Sequence, residues 1–281
     1  MKRVCVITGA GRGLGRSLAI HLATVGYDVA MCARTATELD EAVGEVERAG
    51  ARVSGHAVDV SDPIAVEAFA ARVAEQHGPA WGLVNNAAVL GPVGPIDTVD
   101  VDRWMRAVSV DVGGVVAVTR AFVPHMRGAG GGRVVNLSGG GIGGPRPQPR
   151  ASAYTASKAA VDVLTEVLAP ELHGDGITIN AVAPGPVPTT FLDEVLEAGR
   201  DVAGSELHDA ALHTRETPAC LDAFFELVDF LLADESAWLT GKLLSARWDQ
   251  VEDLVARRDQ LVGTSRLTLR RIDDQLFTER T

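Results

Sequence analysis

A short apolar run that leads through a glycine-rich turn into a helical pattern is the feature that most restricts the fold of this chain. Residues 4–7 read Val-Cys-Val-Ile, residues 8–15 read Thr-Gly-Ala-Gly-Arg-Gly-Leu-Gly, and apolar residues then follow at helical spacing. A strand, a glycine turn and a helix N-terminus together form an anion site, because unpaired backbone N–H groups point at a phosphate that glycine lets approach closely. The pattern therefore predicts a phosphate-binding turn. Its spacing is not the plain dinucleotide fingerprint, which would place glycine at Leu14.

Strand and helix patterns alternate along the rest of the chain. Apolar strand candidates lie at 4–7, 29–33, 53–58, 81–85, 133–137, 177–182 and 242–245. Helical patterns lie at 14–25, 36–49, 62–77, 102–127, 152–173 and 218–233, the last with Thr217-Pro218 as its start signal. Unbroken apolar strands are typical of strands covered on both faces. We predict an α/β fold with a doubly wound parallel sheet (Rossmann-type) in three layers, α/β/α.

The chain has the composition of one large domain. It has 281 residues, of which 46% are hydrophobic, and no Pro/Ser linker or charge block divides it. The glycine-rich stretch at 128–132 is too short for a domain linker and is predicted to be a turn between a helix and a strand.

Tyr154 and Lys158 are four residues apart in the helical pattern at 152–173, which places both side chains on one face of the helix. An ammonium beside a phenol lowers the phenol pKa from about 10 towards the working range of an acid/base catalyst. The chain contains only two tyrosines and three lysines, so this spacing is not expected by chance. We expect a catalytic pair; the alternative is two unrelated surface residues.

These motifs, taken in order, make the chain similar to the classical short-chain dehydrogenase/reductase family. The resemblance covers about residues 2–245 and is carried by Thr8-Gly9-x-x-x-Gly13-x-Gly15, Asp59-Val60, Asn85 to Ala88, Gly132 to Ser138, Tyr154-x-x-x-Lys158 and Asn180 to Thr189. It implies an NAD(P)-dependent oxidoreductase that acts on a small carbonyl or alcohol substrate and forms a homodimer or homotetramer. It also implies that Tyr154 exchanges the proton, and that Lys158 binds the nicotinamide ribose and stabilises the phenolate.

The end of the second strand indicates NADP rather than NAD. In dinucleotide folds an acid at this place binds the ribose 2′-hydroxyl, whereas a basic side chain accepts a 2′-phosphate. The aligned residue is Ala33, with Arg34 beside it, and Arg12 in the glycine turn resembles the second basic position of family members that use NADP. Two cations would then meet the phosphate dianion. If Arg34 is only a solvated surface arginine, the preference stays undecided.

Other cofactor contacts follow from the resemblance, position by position. The glycine turn would hold the phosphates, Asp59 and Val60 the adenine ring, Asn86 and Ala87 the adenosine ribose, and the segment at 184–189 the nicotinamide amide. Asp59 could instead be a turn or capping residue, and Pro184-Gly185 could be only a turn. The full predicted set of cofactor-binding residues is Thr8, Gly9, Gly11, Arg12, Gly13, Leu14, Gly15, Arg34, Asp59, Val60, Asn86, Ala87, Tyr154, Lys158, Pro184, Gly185, Val187 and Thr189.

The serine that normally completes the oxyanion contacts in the family aligns with Gly139. Ser138 precedes it, and the segment from there to Tyr154 is about two residues longer than usual and rich in glycine and proline. Ser138 could enter the site by a local shift, or backbone N–H groups of residues 139–141 could act as oxyanion donors. A third reading is that Ser138 merely ends its strand.

A second departure is Asp111, which aligns with an asparagine whose backbone carbonyl, in many family members, helps to hold a water next to the lysine. An aspartate could keep that main-chain role, and its charge would steady a nearby Lys158. Alternatively, Asp111 is a structural acid of the helix.

Two segments extend the predicted core. By resemblance, residues 190–217 form a lid over the substrate within a catalytic domain of residues 1–245. Residues 246–281 continue beyond the last strand as a partly helical extension, in which Val251, Leu254, Val255 and Leu261 suggest an amphipathic helix. We expect it to cover the active-site mouth or pack on a neighbouring subunit; a frayed tail is the alternative.

Several partners and sites are not expected. A net charge of −11 lacks the basic footprint that nucleic acids require. Met1 leads directly into strand residues, and no apolar run approaches the roughly 20 residues of a membrane span, so we expect a cytoplasmic protein. Three scattered cysteines predict neither a disulfide framework nor a zinc site, and His208 and His213 lack metal spacing. No metal is expected.

Two function classes remain open from the sequence. The first is an NADP-dependent oxidoreductase in which Tyr154 is the acid/base and Lys158 its activator. The second is a redox-silent relative that binds the dinucleotide as a structural or regulatory ligand, which the changes at Gly139 and Asp111 favour.

Overall fold

Seven parallel strands form the centre of the protein. The computed structural model describes residues 2–139, 148–218 and 220–270. The strands are β1 (Val4–Thr8), β2 (Asp28–Ala33), β3 (Val53–Ala57), β4 (Gly82–Asn85), β5 (Gly132–Leu137), β6 (Ile177–Ala183) and β7 (Leu243–Ser245). They pair in the order β3-β2-β1-β4-β5-β6-β7, and every pairing is parallel. The predicted doubly wound sheet is confirmed.

Helices cover both faces of this sheet. They are α1 (Gly13–Thr24), α2 (Ala36–Arg48), α3 (Pro63–His77), α4 (Val101–Val108), α5 (Gly114–Gly128), α6 (Ser152–His173), α7 (Thr190–Glu216), α8 (Asp222–Leu232), α9 (Val251–Ala256) and α10 (Arg258–Leu261). One buried core joins the sheet to α1, α2 and α8, with Leu18, Leu39 and Leu227 fully covered. The other joins it to α3, α5 and α6 through Phe69, Phe122 and Leu172. These two cores explain why the strands are apolar on both faces.

Most predicted elements agree with the structure to within a few residues, but two helical predictions need correction, and the segment predicted as a lid has a helical structure that the sequence analysis did not assign. The helix predicted at 102–127 contains a π turn, Ser109–Gly113, between α4 and α5. The predicted lid at 190–217 consists largely of α7, which is interrupted by non-helical Gly199 and Gly204. The helix predicted to start at Pro218 begins at Asp222, and Thr217, predicted as part of its start signal, is the C-cap of α7.

The helical stretch Val101–Gly128 is long and apolar enough to cross a membrane by length and composition, contrary to the sequence-based expectation. In its most apolar window, 56% of the residues are buried inside the fold. Phe122 and Met126, for example, belong to the core beneath α5. This stretch therefore packs as core helices of the domain.

The segment after β7 packs on the chain's own last strand and on α8. Leu254 and Leu261 are buried, the Leu243 N–H donates to the Leu267 carbonyl at 2.7 Å, and Lys242 Nζ donates to the Thr264 and Arg266 carbonyls. Up to residue 270, then, the segment is fixed along the sheet edge and not at the mouth of the cleft described below. The division into a domain at 1–245 and an extension at 246–281 stays a prediction.

Candidate active site

The carboxyl ends of the parallel strands meet along one edge of the sheet, and the chain reverses its winding direction between β1 and β4. Ligands of open α/β sheets bind at such a switch point. A cleft of about 540 Å³ lies there. Its walls include 17 of the 18 residues predicted to bind the cofactor, all except Thr8.

The glycine turn leaves room for an anion at the start of α1. Gly9 and Gly13 have positive φ angles of 65° and 56°, which glycine adopts without strain. A Cβ at Gly9 would lie 2.7 Å from Ala87 Cα, whereas a Cβ at Gly13 would meet no protein atom within 4 Å. No described side chain caps α1, so its first N–H groups are available to a phosphate. This cradle fits a dinucleotide pyrophosphate.

Thr8 supports the turn from behind and does not line the cleft. Its Oγ1 accepts hydrogen bonds from the backbone N–H groups of Asn86 and Ala87, each at 3.0 Å. Asn86 Nδ2 in turn donates to the carbonyls of Thr8 and Gly9 at 2.8 and 3.0 Å. The segment after β4 is thereby fixed to the turn after β1, and both sides of the cleft keep their spacing.

Two arginines stand at the adenosine end of the cleft. Arg12 forms an ion pair with Glu38 at 3.0 Å. Arg34 is exposed, and no carboxylate of the described residues pairs with it. Ala33, beside it, carries no group that would repel a phosphate. Arg12, Arg34 and Glu38 all line this end of the cleft.

Asp59 is a turn residue, one of the two readings that the sequence left open, and its adenine contact stays a prediction. It lines the cleft, and it also closes a turn by accepting from the N–H and Oγ of Ser61 at 3.0 and 2.7 Å. Arg106 donates to its other oxygen. Burial opposes ionisation, but the bonds from Ser61 and Arg106 prevail and hold the pKa of Asp59 below its usual value.

Tyr154 and Lys158 both line the cleft, on the same face of α6, as their spacing predicts. Lys158 is 3% exposed and its Nζ donates to the Leu137 carbonyl at 2.7 Å. The same Nζ is 5.8 Å from the centre of the Tyr154 ring. Phe191, from the start of α7, stacks edge-on against this ring with centroids 5.4 Å apart. The start of α7 therefore packs against the phenol ring.

The electrostatics of this pair differ from the expectation of a phenol pKa lowered by the ammonium. Burial, followed by the charges of Asp111 and Asp162, raises the pKa of Tyr154 above its ordinary value. Burial lowers the pKa of Lys158, and the same two aspartates oppose that effect. The expectation considered only the lysine, whereas the structure places two carboxyl groups near the pair.

Ser138 is buried beside α6, and its Oγ donates to Asp162 Oδ2 at 3.0 Å. Gly139 follows it directly against the phenol: a Cβ built on Gly139 would lie 2.6 Å from Tyr154 Oη. The place of the expected serine side chain is thus filled by the tyrosine itself. The predicted backbone donors at 140 and 141 lie outside the described residues.

Asp111 is fully buried in the π turn. Its Oδ1 accepts from the Val89 N–H at 2.8 Å, while its Oδ2 has no partner among the described residues. Burial is the main cause that raises the pKa of Asp111 to about 6. π turns occur frequently at functional sites, and this one sets the carboxyl within the field of Lys158. The expected main-chain role stays a prediction.

Asp162 is the site residue that the sequence reasoning missed. It is one helical turn after Lys158, so the i, i+4 spacing that drew attention to Tyr154 and Lys158 would also have found it. Burial raises its pKa to about 6 against the opposing hydrogen bond from Ser138. Its Oδ1 has no partner in the described part of the chain.

The lid brings a third arginine to the cleft. Because α7 is interrupted at Gly199 and Gly204, its end returns towards its start, and Arg215 pairs with Asp193 at 3.8 Å. Both residues line the cleft. The described residues contain no group of three His, Cys, Asp or Glu side chains placed to hold a metal.

Comparison with known proteins agrees with this geometry. The profile of the short chain dehydrogenase family matches residues 3–199. A "Short-chain type dehydrogenase/reductase" of Picea abies is 33% identical over 258 residues, which span 89% of this chain and 92% of that protein. The structure of NAD+-bound xylitol dehydrogenase superposes with a TM-score of 0.78 at 27% identity, covering 86% of this chain and 96% of the other. An actinorhodin polyketide ketoreductase with NADPH gives 0.77 at 32% identity, covering 87% and 95%.

Proposed function

Because this chain belongs to the short-chain dehydrogenase family, whose members are NAD(P)-binding oxidoreductases, we propose that it transfers a hydride between NADP and a small carbonyl or alcohol. One observation carries the proposal. A single cleft joins the glycine turn at its phosphate end to Tyr154 and Lys158 at its other end. The cytoplasmic location stays a prediction.

The preference for NADP rests on the adenosine end of the cleft. Arg34 has no carboxylate partner among the described residues, and a 2′-phosphate dianion would be an anionic partner for its guanidinium. Arg12 would exchange Glu38 for the same phosphate. The structural relatives include proteins with either cofactor, so the argument depends on these side chains. Titrating the protein with NADPH and with NADH tests it; tighter binding of NADH would contradict it.

The chain's own residues supply the proton and the orientation. When bound, the nicotinamide cofactor supplies or accepts the hydride. In the reducing direction the Tyr154 O–H bond breaks and its proton moves to the substrate oxygen, which gains negative charge as the carbonyl carbon is reduced. Lys158, fixed by the Leu137 carbonyl, would hold the nicotinamide ribose and stabilise the resulting phenolate. Phe191, packed edge-on against the phenol ring, reduces its access to water.

The second contact to the substrate oxygen comes from the main chain at Gly139 rather than from Ser138 in this proposal. The Ser138 hydroxyl proton already points to Asp162, so it is not free for a substrate. Gly139 contacts the phenol directly, and backbone N–H groups are effective oxyanion donors.

A homo-oligomer is part of the proposed function. Val116 on α5 and Val163 and Val167 on α6 are large apolar side chains that are 44–52% exposed, and Val116 also lines a groove of mixed apolar and charged residues along these two helices. A second copy would cover this face. Mass measurement in solution tests the assembly, with Val163→Asp/Val167→Asp expected to give monomers if the face is the interface.

The competing function is a redox-silent protein that uses the dinucleotide as a structural or regulatory ligand. The departures at Gly139 and Asp111 favour it. A broad panel of aldehydes and ketones with NADPH separates the two functions: consumption of NADPH with any of them supports the oxidoreductase. Tight NADPH binding with no turnover across the panel favours the alternative.

A further inference from the structure

Two buried carboxyl groups surround the Tyr154 and Lys158 pair from different elements. Asp111 reaches it from the π turn between α4 and α5, and Asp162 from the next turn of α6. Asp111 is 0% exposed and Asp162 5% exposed. Each has one carboxyl oxygen with no hydrogen-bond partner among the described residues, Oδ2 of Asp111 and Oδ1 of Asp162.

Buried carboxyl oxygens without partners are costly, and a fold retains them where another group compensates them. The nearest cation is Lys158, whose one described bond goes to a neutral carbonyl, although an ammonium has three donors. No described carboxylate lies within 4 Å of its Nζ. Asp111 and Asp162 both act on Lys158 through space, in a buried medium where a charge is screened less than in water.

No other charged group described in the structure faces the pair. From β5 come the Leu137 carbonyl and the Ser138 hydroxyl, and from α7 comes the uncharged ring of Phe191. On α4, Arg106 is held by Asp59, and Trp104 donates to Ser152. The field at the phenol and the ammonium is therefore set by Asp111 and Asp162.

We propose that Asp111 and Asp162 are positioning residues that hold both protons of the Tyr154 and Lys158 pair, so that at neutral pH the pair acts as a proton donor. A negative charge favours the protonated form of a phenol and of an amine alike. The first proton to leave the coupled pair is thus retained to higher pH, whichever group loses it. The consequence for catalysis rests on the proposed oxidoreductase function. A protonated pair favours carbonyl reduction near neutral pH, whereas alcohol oxidation needs the phenolate and therefore moves to alkaline pH.

The composition of the chain makes a direct test feasible. Tyr27 is the only other tyrosine, so in a Tyr27→Phe background the ultraviolet absorbance of phenolate reports Tyr154 alone. Lys158 is one of three lysines, and its side-chain NMR signal, assigned with Lys2→Arg and Lys242→Met, reports the ammonium. Both titrations use the free protein and need neither cofactor nor substrate.

Asp111→Asn and Asp162→Asn remove each charge but keep an oxygen that accepts from the Val89 N–H or the Ser138 hydroxyl. Each should lower the pH of the first proton loss from the pair by about one pH unit, the order of magnitude expected for the removal of a nearby buried charge. Asp97→Asn, at an exposed aspartate, controls for a general change in net charge and should leave both titrations unchanged.

Unchanged titrations in both Asp111→Asn and Asp162→Asn would overturn the proposal, as would a shift of the same size in Asp97→Asn. If one of the two variants does not fold, the titration of the other still tests the proposal. In the active enzyme the alkaline limb of kcat/KM for reduction should move to lower pH in the same variants. A shifted titration in a protein that reduces no carbonyl would sink the proposed function and leave this inference standing.

Discussion

Gly139 follows the end of β5 and lies against the Tyr154 phenol. Adding a side chain there tests directly whether this close approach is needed for activity. A Cβ at this residue would lie 2.6 Å from Tyr154 Oη and 2.8 Å from both Cε1 and Cζ of the same ring. Ordinary van der Waals contact begins at 3.4 Å. Gly139→Ala therefore requires the phenol to move by about 0.8 Å, the difference between 3.4 and 2.6 Å. Gly139→Ser, which restores the residue expected from the family, adds a hydroxyl to the same clash.

The functional loss should exceed the loss of stability. The obstructed atom is at the end of a side chain, so the fold can yield at the low end of the range for overpacking, about 1 kcal/mol. The hydroxyl, however, must be within hydrogen-bond reach of the reacting oxygen, and a displacement near 1 Å can cost on the order of 100-fold in rate. We expect kcat to fall about 10- to 100-fold in both variants. Phe191, which packs edge-on against the ring, limits how far the phenol can move.

The assay compares three quantities: kcat for a carbonyl substrate, the dissociation constant of NADPH, and the midpoint of thermal unfolding. Gly139 is not among the residues that line the cleft, so NADPH binding should change little. Gly44→Ala is the control, since a Cβ there meets no atom within 4 Å and helical alanine is up to about 1 kcal/mol more favourable than glycine. If Gly139→Ser matches or exceeds the parent in kcat, the clash and the proposed main-chain role of Gly139 are wrong.

Three further predictions concern neighbouring groups. Arg34→Gln should weaken NADPH binding about 10- to 150-fold, the equivalent of one charge-assisted hydrogen bond of roughly 1.5–3 kcal/mol. NADH binding should not change. Equal losses of affinity for both cofactors in fluorescence titrations would refute the 2′-phosphate contact. Ser138→Ala should lower kcat by less than about 10-fold, because its proton goes to Asp162, and a loss of about 100- to 1000-fold would identify it as an oxyanion donor after all. The pKa of Asp162 rises from 3.8 to about 6 on folding, so the native state binds more protons between these values, and stability falls by up to about 3 kcal/mol as pH rises through that window. Urea unfolding at pH 4 and pH 7 should show a smaller drop in Asp162→Asn, and an unchanged drop would exclude this contribution.

The sheet and most of its helices follow from the sequence because their apolar periodicity is strong and local. The glycine turn was equally legible, since Gly9 needs a positive φ and a close approach to Ala87. The π turn between α4 and α5 cannot be predicted in this way, because it leaves the apolar pattern of a helix nearly intact. The folding back of α7 depends on Gly199 and Gly204, which in sequence look like ordinary helix-weakening glycines.

The residues of the candidate site likewise fall into those that the sequence predicts and those that it does not. Spacing on one helix found Tyr154 and Lys158, and order along the chain found the cofactor-lining residues, because parallel strands bring their carboxyl ends together. The phenol pKa was misjudged, since it depends on burial and on Asp111, which is 43 residues away in sequence. Asp162 was visible by spacing but carried no motif. The expected effect of Asp111 on Lys158 is present, since its charge raises the pKa of the ammonium, but how strongly charges on different elements act on the phenol depends on packing.

The central claim is that Tyr154 is the proton-transferring group of a hydride-transfer site, and Tyr154→Phe tests it most directly. The substitution removes only Oη, whose bonds do not hold the cleft together, so the NADPH dissociation constant should stay within about twofold of the parent value. Steady-state NADPH oxidation with an accepted carbonyl substrate should fall by about 100- to 10,000-fold, the range of general acid–base catalysis. Retention of full turnover in Tyr154→Phe, with NADPH binding unchanged, would contradict the account.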